Sequence, residues 1–213
     1  MTRTLLWVLA SVVLLSFLEY FIHRAFMHRR SLPAWLSRRL DWLRQYHHAH
    51  AVLHHSTYFR RFNYEPDPVG QETDLRLGLA TGVRLYAAAS PLILGLSLIA
   101  PSGALVFSVA AGAHMYLWGL LHREMHIPRS QLLQRLAFYR LLARHHFLHH
   151  RYPGCNYNVV FPLADVVFGT VARAKACDLR EMLRLGYLRA HRPKTLDRLA
   201  RRTEHVALPA SSK

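Results

Sequence analysis

The chain is 213 residues long, 52% hydrophobic, and carries 28 Lys and Arg against 12 Asp and Glu, for a formal net charge of +16. That length suits one domain, and so much apolar surface beside a self-repelling cationic shell excludes an ordinary soluble domain while fitting a membrane protein with a basic face. The two cysteines, Cys155 and Cys177, make no C-x-x-C and exclude a disulfide framework or a thiolate metal site.

In chain order, the first predicted element is Leu5–Ile22, "LLWVLASVVLLSFLEYFI", apolar except for Ser11, Ser16, Glu19 and Tyr20. It is long enough to cross the ~30 Å hydrocarbon layer as a helix. A signal peptide would be followed by a small-residue cleavage site, whereas "HRAFMHRR" follows here, so the segment is expected to stay as a span. Leu77–Ala100 and Ala104–Leu121 are two more apolar runs, and the "PSG" between them reads as the turn of a helical hairpin. Arg84, near the start of that hairpin, is expected to snorkel to the interface. Leu132–Leu142 and Val159–Val171 are too short or too polar to cross and read as interfacial or packed helices. The Arg-rich tail 178–213 reads as a basic amphipathic surface suited to anionic headgroups.

Apart from Arg3, every basic residue outside the spans falls on one side of this topology, which sets the N-terminus outside and residues 23–76 and everything after His122 in the cytoplasm. The fold class expected is therefore all-α: an integral membrane helical bundle of three transmembrane helices with a cytoplasmic helical cap, one domain over 1–213. Positive-inside topology also accounts for the sequence pI of 10.8, so no nucleic-acid partner is called for.

Imidazole is the group available to build a site, with 16 histidines in the chain. They fall in four clusters that this topology brings to one depth: His23 and His28; His50, His54 and His55; His122 and His126; His146, His149 and His150. At about 100° per residue, pairs three or four apart share a helical face, as chelation requires. His122 with His126, His50 with His54, and the set His146, His149 and His150 meet that condition. His55 points further round, toward a second ion. His23 and His28, five apart, are expected either to serve different metals or to need a loosened helix. Ten imidazoles overfill one ion and suit two with five each. Imidazole accepts zinc, copper, iron or nickel, so ligand type alone does not choose the element. His47, His48, His114 and His145 read as supporting or structural, and His191 and His205 as solvent-facing.

Taken in order, "HRAFMH", "HAVLHH", "HREMH", "HFLHH" and the closing "NYNVVFPLADVVFGT" resemble the fatty acid hydroxylase superfamily, the membrane histidine-box group of fatty acid hydroxylases, sterol oxidases and carotenoid hydroxylases. The second box departs from the usual H-x-x-H-H by one residue, so His50 is taken as the ligand with His47 as the alternative. The resemblance implies a cytoplasmic dimetal site holding two non-haem iron ions, with zinc able to substitute. It also implies an O2-dependent monooxygenase that hydroxylates a lipid, a fatty-acyl chain first, then a sterol or carotenoid, or desaturates it. No electron-carrier domain is evident, so electrons are expected from a separate donor. Glu19, Asn156 and Asp165 are candidates to orient the imidazoles from behind, and Glu124 reads as an exposed ion-pair partner. Outside enzymes, the alternative is a histidine-based membrane metal transporter or metal-binding protein, which would line its spans with ionisable residues. Only Arg84 and Glu19 qualify.

Overall fold

A computed structural model describes residues 2–29, 34–59 and 79–188. His191, His205 and the tail beyond 188 lie outside the described residues, as does the Leu77 start expected for the second span. Among the described residues the chain is all-helical, with α1 (Thr2–Ile22) running directly into a π-helical turn, π1 (His23–His28). Short helices α2 (Ala34–Arg39) and α3 (Asp41–His47) lead into a second π-helical segment, π2 (His48–Tyr58). There follow α4 (Leu79–Ile99), α5 (Pro101–His126), α6 (Gln131–Arg135), α7 (Ala137–Arg151), α8 (Leu163–Val167) and α9 (Ala176–Arg184).

Three helices are long and apolar enough to cross a membrane: Thr2–His28, Gly82–Ile99 and Pro101–His126. Their outward faces are unshielded, with Leu98 87% and Ile99 81% exposed, as lipid-facing surface must be. The turn between the second and third spans is tighter than the sequence suggests. "PSG" is not a turn, because Pro101 opens α5 at a position where its missing N–H costs nothing, and Ala100 alone makes the break. Arg84 is exposed near the start of α4, consistent with its expected place at the interface.

The spans touch closely where small residues allow it. A Cβ on Gly103 would stand 2.7 Å from the Trp7 ring, so α1 and α5 meet there only because the residue is glycine. The two serines of α1 are both used. Ser11 donates to its own Trp7 carbonyl at 2.7 Å, and Ser16 donates to the Phe161 carbonyl at 2.7 Å while accepting from Ala164 N at 3.1 Å. These bonds clamp the loop before α8 and α8 itself to the side of the first span, where Phe168 packs against Phe17, Tyr20 and Phe21.

The core sits at the histidine-bearing end of the spans. Met27 from π1, Trp118, Leu121 and Met125 from α5, Tyr139, Leu142 and Phe147 from α7, and Met182 and Tyr187 from the region of α9 form one cluster. The two segments expected as interfacial or packed helices prove shorter and divided. The first is split by Leu136 into α6 and the start of α7, and the second contains only the five-residue α8.

Candidate metal centre

The two π-helical segments are what make the histidine geometry work. Each closes with a backbone bond to the carbonyl five residues back, Arg29 N to Arg24 O at 3.1 Å and Phe59 N to His54 O at 2.9 Å. Within π2, the hydroxyls of Ser56 and Thr57 also donate to carbonyls five residues back, at 2.9 and 3.1 Å. In this wider winding, residues five apart fall on one face. His23 and His28 therefore point together, and so do His50 and His55.

The ten histidines singled out from the sequence gather into two groups of five. In the first, ligand-capable nitrogens of His23, His28, His50, His55 and His149 all lie within 4.8 Å of one another; in the second, those of His54, His122, His126, His146 and His150 do the same. This partition corrects two expectations and, with His23 and His28 in one group on a π-helical turn, selects the loosened helix over separate metals. His50 and His54 are in different groups, His50 joining His55. His149 is separated from His146 and His150. The common reason is that the π-helical winding replaces the 100° step assumed for 23–28 and 48–58, while α7 lies between the groups and serves both.

The spacing suits coordination. Nε2 to Nε2 separations are 2.8 Å for His23 and His50, 2.9 Å for His28 and His149, and 3.1 Å for His55 and His50. In the second group they are 3.1 Å for His54 and His150 and 3.0 Å for His126 and His146. With metal–nitrogen bonds of about 2.1 Å, ligands at a right angle stand about 3.0 Å apart and ligands at the tetrahedral angle about 3.4 Å. These edges are short enough for neighbouring nitrogens to share one ion.

Tautomers are set from behind. His23 Nδ1 donates to the Tyr157 carbonyl, and His149 Nδ1 donates to the Cys155 carbonyl at 2.7 Å. In a neutral ring the other nitrogen, Nε2, is then a bare lone pair directed into the group, which is what a metal takes. Neutrality is favoured. Burial, reinforced by neighbouring imidazoles, holds His50, His54, His55, His146 and His150 well below the usual histidine range. Burial also brings His149 to about 4, with the Cys155 carbonyl and Asp165 opposing the fall. Ten mutually facing imidazoles, seven of them buried, with no carboxylate among them are a donor set that a pair of cations satisfies.

Of the supporting residues, Asp165 is the most connected. Fully buried, it lies 2.9 Å from His145 Nε2 and accepts from Tyr157 N at 2.9 Å, Asn158 N at 2.7 Å and the Thr170 hydroxyl at 2.7 Å. Burial alone would raise its pKa, but these bonds outweigh it and hold the carboxyl below its ordinary value. Asp165 thus shapes the loop whose Tyr157 carbonyl holds His23. Asn156 spans the same loop: its amide donates to the His145 carbonyl at 2.8 Å and its oxygen accepts from Ala172 N at 2.7 Å. It does so from a left-handed backbone, φ 55°, that asparagine tolerates.

Glu19 touches none of the ten imidazoles. It accepts from Val159 N at 2.5 Å and Val160 N and Asn158 Nδ2 at 3.3 Å, and its Oε2 is 3.1 Å from His114 Nε2. It acts on His23 only through the loop. Glu124 is a partial correction: it pairs with Arg123 at 3.6 Å as expected, but it is 3% exposed, and its carboxylate accepts from Arg129 N and Ser130 N, both at 2.9 Å, closing the chain reversal after α5. His47 stands outside the groups, with Nδ1 3.2 Å from the Met27 carbonyl, and His48 is exposed.

Several participants carried no signal in the sequence. The Tyr157 and Cys155 carbonyls act through the backbone, which residue type does not report. Trp118 stacks on His122 at 4.5 Å, and Phe59 lies 4.6 Å from His126, so aromatic rings shield the second group. Tyr139 and Tyr187 donate to the carbonyls of Glu124 and Met125, at 2.7 and 2.5 Å, and fix the end of α5 that carries His126.

Three apolar spans, two of them ending in histidine pairs, beside two histidine groups define a membrane protein with a metal-binding centre. The fatty acid hydroxylase family model matches residues 8–170, and the chain belongs to that family, within the fatty acid hydroxylase/sterol desaturase superfamily. Membership carries a membrane hydroxylase- or desaturase-type oxidation at a metal cofactor. No curated protein and no solved structure matches the chain.

Proposed function

We propose that this protein is an O2-dependent lipid hydroxylase in which the two histidine groups each hold one iron ion. His23, His28, His50, His55 and His149 hold the first, and His54, His122, His126, His146 and His150 the second. The observation that carries the reading is the gathering of ten histidines into two groups of five, the ligand-capable nitrogens of each group within 4.8 Å of one another, in a chain of this family.

Bound iron supplies the O2 and electron chemistry that an unactivated C–H bond requires and that no side chain offers. The chain's own residues do the rest. Tyr157 and Cys155 hold His23 and His149 in the ligating tautomer, and Trp118 and Phe59 keep water from the second group. The substrate enters from the bilayer. An apolar cavity of about 300 Å³ lies between α1, α4 and α5, walled by residues such as Leu15, Leu92 and Phe107, and reaches His23 and Met27. An acyl chain lying there is desolvated and held beside the first group, which limits the C–H bonds that can be attacked to those at its lower end.

The site faces the cytoplasm, because the basic residues flanking the spans lie at its end. The same basic surface receives a separate electron donor.

Expression in a lipid-producing host with comparative lipid mass spectrometry tests the reading, wild type against a His146→Ala, His149→Ala double variant. A lipid heavier by one oxygen atom and present only with wild type supports it. A lipid lighter by two hydrogens assigns desaturation instead. Purified protein that takes up metal while changing no lipid points to transport or storage.

A further inference from the structure

Among the polar groups in the cavity wall is one, His114, that belongs to neither metal group. Of the polar side chains in its wall, His23 belongs to the first histidine group and the Tyr86 hydroxyl donates to the Ser108 carbonyl at 2.6 Å. Glu19 is satisfied by the backbone N–H groups of Val159 and Val160 and by the Asn158 amide. His114 is different. Its side chain is 15% exposed, and its Nε2 lies 3.1 Å from Glu19 Oε2 but off the line of a hydrogen bond. Its Nδ1 has no hydrogen-bond partner among the described residues.

A histidine in the middle of a membrane span is costly and is kept where it meets a polar partner. Glu19 does not need this one, because backbone and amide donors already occupy both carboxylate oxygens. The carboxylate charge, 3.1 Å away, favours a proton on Nε2 even off the line of a hydrogen bond. Beside a carboxylate, the proton of a neutral imidazole sits on Nε2, which leaves Nδ1 an acceptor with no partner in the protein.

We propose that His114 is a specificity-determining contact for a lipid that carries a hydroxyl group within its apolar body, the hydroxyl donating to His114 Nδ1. The inference rests on the reading of the cavity as the substrate site. At 1.5 Å per residue, His114 stands about 12 Å along α5 from His122, and Glu19 about 6 Å along α1 from His23. The hydroxyl is therefore held roughly 6 to 12 Å from the carbon presented to the metal groups. A plain acyl chain would leave Nδ1 buried against methylenes, and a ketone would set lone pair against lone pair. The site prefers a donor.

The test is equilibrium competition against tritiated stearate on purified protein in detergent, with stearate, 12-hydroxystearate and 12-oxostearate as competitors and metal content measured on every sample. Wild type is expected to bind 12-hydroxystearate about tenfold more tightly than stearate, the worth of one net hydrogen bond, and 12-oxostearate no more tightly than stearate. His114→Leu is expected to make all three equal. His114→Gln, whose amide both donates and accepts, is expected to favour the hydroxy and oxo acids alike, and it keeps the proposal testable if the leucine variant does not fold. Ala89→Trp, which fills the cavity, should abolish competition by all three.

Equal affinities in wild type, an unchanged preference in His114→Leu, or no competition by any acid overturns the proposal. Binding needs no turnover. A sample that shows the expected preference but lacks two metals per chain sinks the oxygenase reading and leaves this one standing.

Discussion

The two histidine groups hold the same number of imidazoles on different backbones. In the second group, His122 with His126 and His146 with His150 are four apart on ordinary α-helix, and only the fifth member, His54, comes from π2. In the first, His23 with His28 and His50 with His55 are five apart on π-helical turns, and His149 is the fifth. The regular helices present their pairs without strain, at the packing distance that α5 and α7 would adopt in any helical bundle. The π-helical turns are locally less stable than the α-helix they replace. Group one is accordingly the one braced from outside, by the Tyr157 and Cys155 carbonyls and, behind them, Asp165. A pair of sites that looks symmetric in ligand count thus divides into one whose geometry is intrinsic to its helices and one whose geometry depends on a supporting loop and, when loaded, on its metal. Group one also adjoins the lipid cavity, through His23.

Removing one pair should have the largest effect and breaks the comparison most directly. His50→Ala with His55→Ala should reduce metal content from two ions per chain to one and lower lipid oxidation by more than about a hundredfold, since a whole face of one site is gone. His122→Ala with His126→Ala should remove the other ion. Elemental analysis of the two variants reads this directly; loss of both ions from either variant means the groups are one cooperative site and not two.

Asp165→Asn comes next. It puts an amide N–H among the donors that the carboxylate now accepts from, and it should loosen the loop that holds His23 and His149. Metal affinity of the first group should fall about 10- to 100-fold, with the second group changed far less. Chelator competition resolves the two ions, and an equal loss from both groups removes the distinction drawn above. Hydrogen exchange on stripping the metal sharpens the same point. Amides of 23–28 and 48–58 should lose protection well before those of 118–126 and 142–151.

The spans and the four clusters were legible because both are written in residue type: a long apolar run has few alternatives to a membrane helix, and histidines at span ends have few alternatives to a shared site. The partition of the ten was not legible. It depends on whether 23–28 and 48–58 wind at 100° per residue, and nothing in "HRAFMH" or "HAHAVLHHSTY" announces a wider turn except the five-residue histidine spacing itself. For His23 and His28 that spacing pointed to a loosened helix; for His50 and His55 the same spacing was passed over in favour of the four-residue pair with His54. Glu124 misled for another reason. Beside Arg123 it looks like a surface charge, but Pro128 forces a reversal after α5 whose free N–H groups need an acceptor, and the carboxylate supplies it.

Acidification should produce a smaller effect. A buried His149 with a pKa of about 4, against an ordinary value of 6.5, stays neutral in the folded state while the unfolded chain takes up a proton. The unfolded state then binds more protons between those two values, so stability is full above about pH 6.5 and falls as pH drops toward 4. For this one residue the loss is of the order of 3 kcal/mol at most. Melting of metal-free protein between pH 7.5 and 5 should show the fall, and His149→Gln should flatten its slope. A slope unchanged by that substitution would place the titrating groups elsewhere.

Tyr187→Phe is the smallest change and tests the more self-sufficient group. Tyr187 lies beyond the stretch that the family model matches, yet its hydroxyl donates to the Met125 carbonyl, next to His126, and its ring is buried in the core. That carbonyl is in the last turn of α5, where no intrahelical donor is available, so the hydroxyl completes the helix end. Phenylalanine keeps the packing and removes only the bond, leaving the carbonyl without that donor in a dry environment, at a cost of about 1 kcal/mol. If α5 is as self-supporting as its regular geometry indicates, thermal stability should drop by that amount while the second group's metal affinity changes less than about threefold. A larger loss of metal would show that this helix end, like the π-helical turns, is held in place from outside, and the contrast between the two groups would become one of degree.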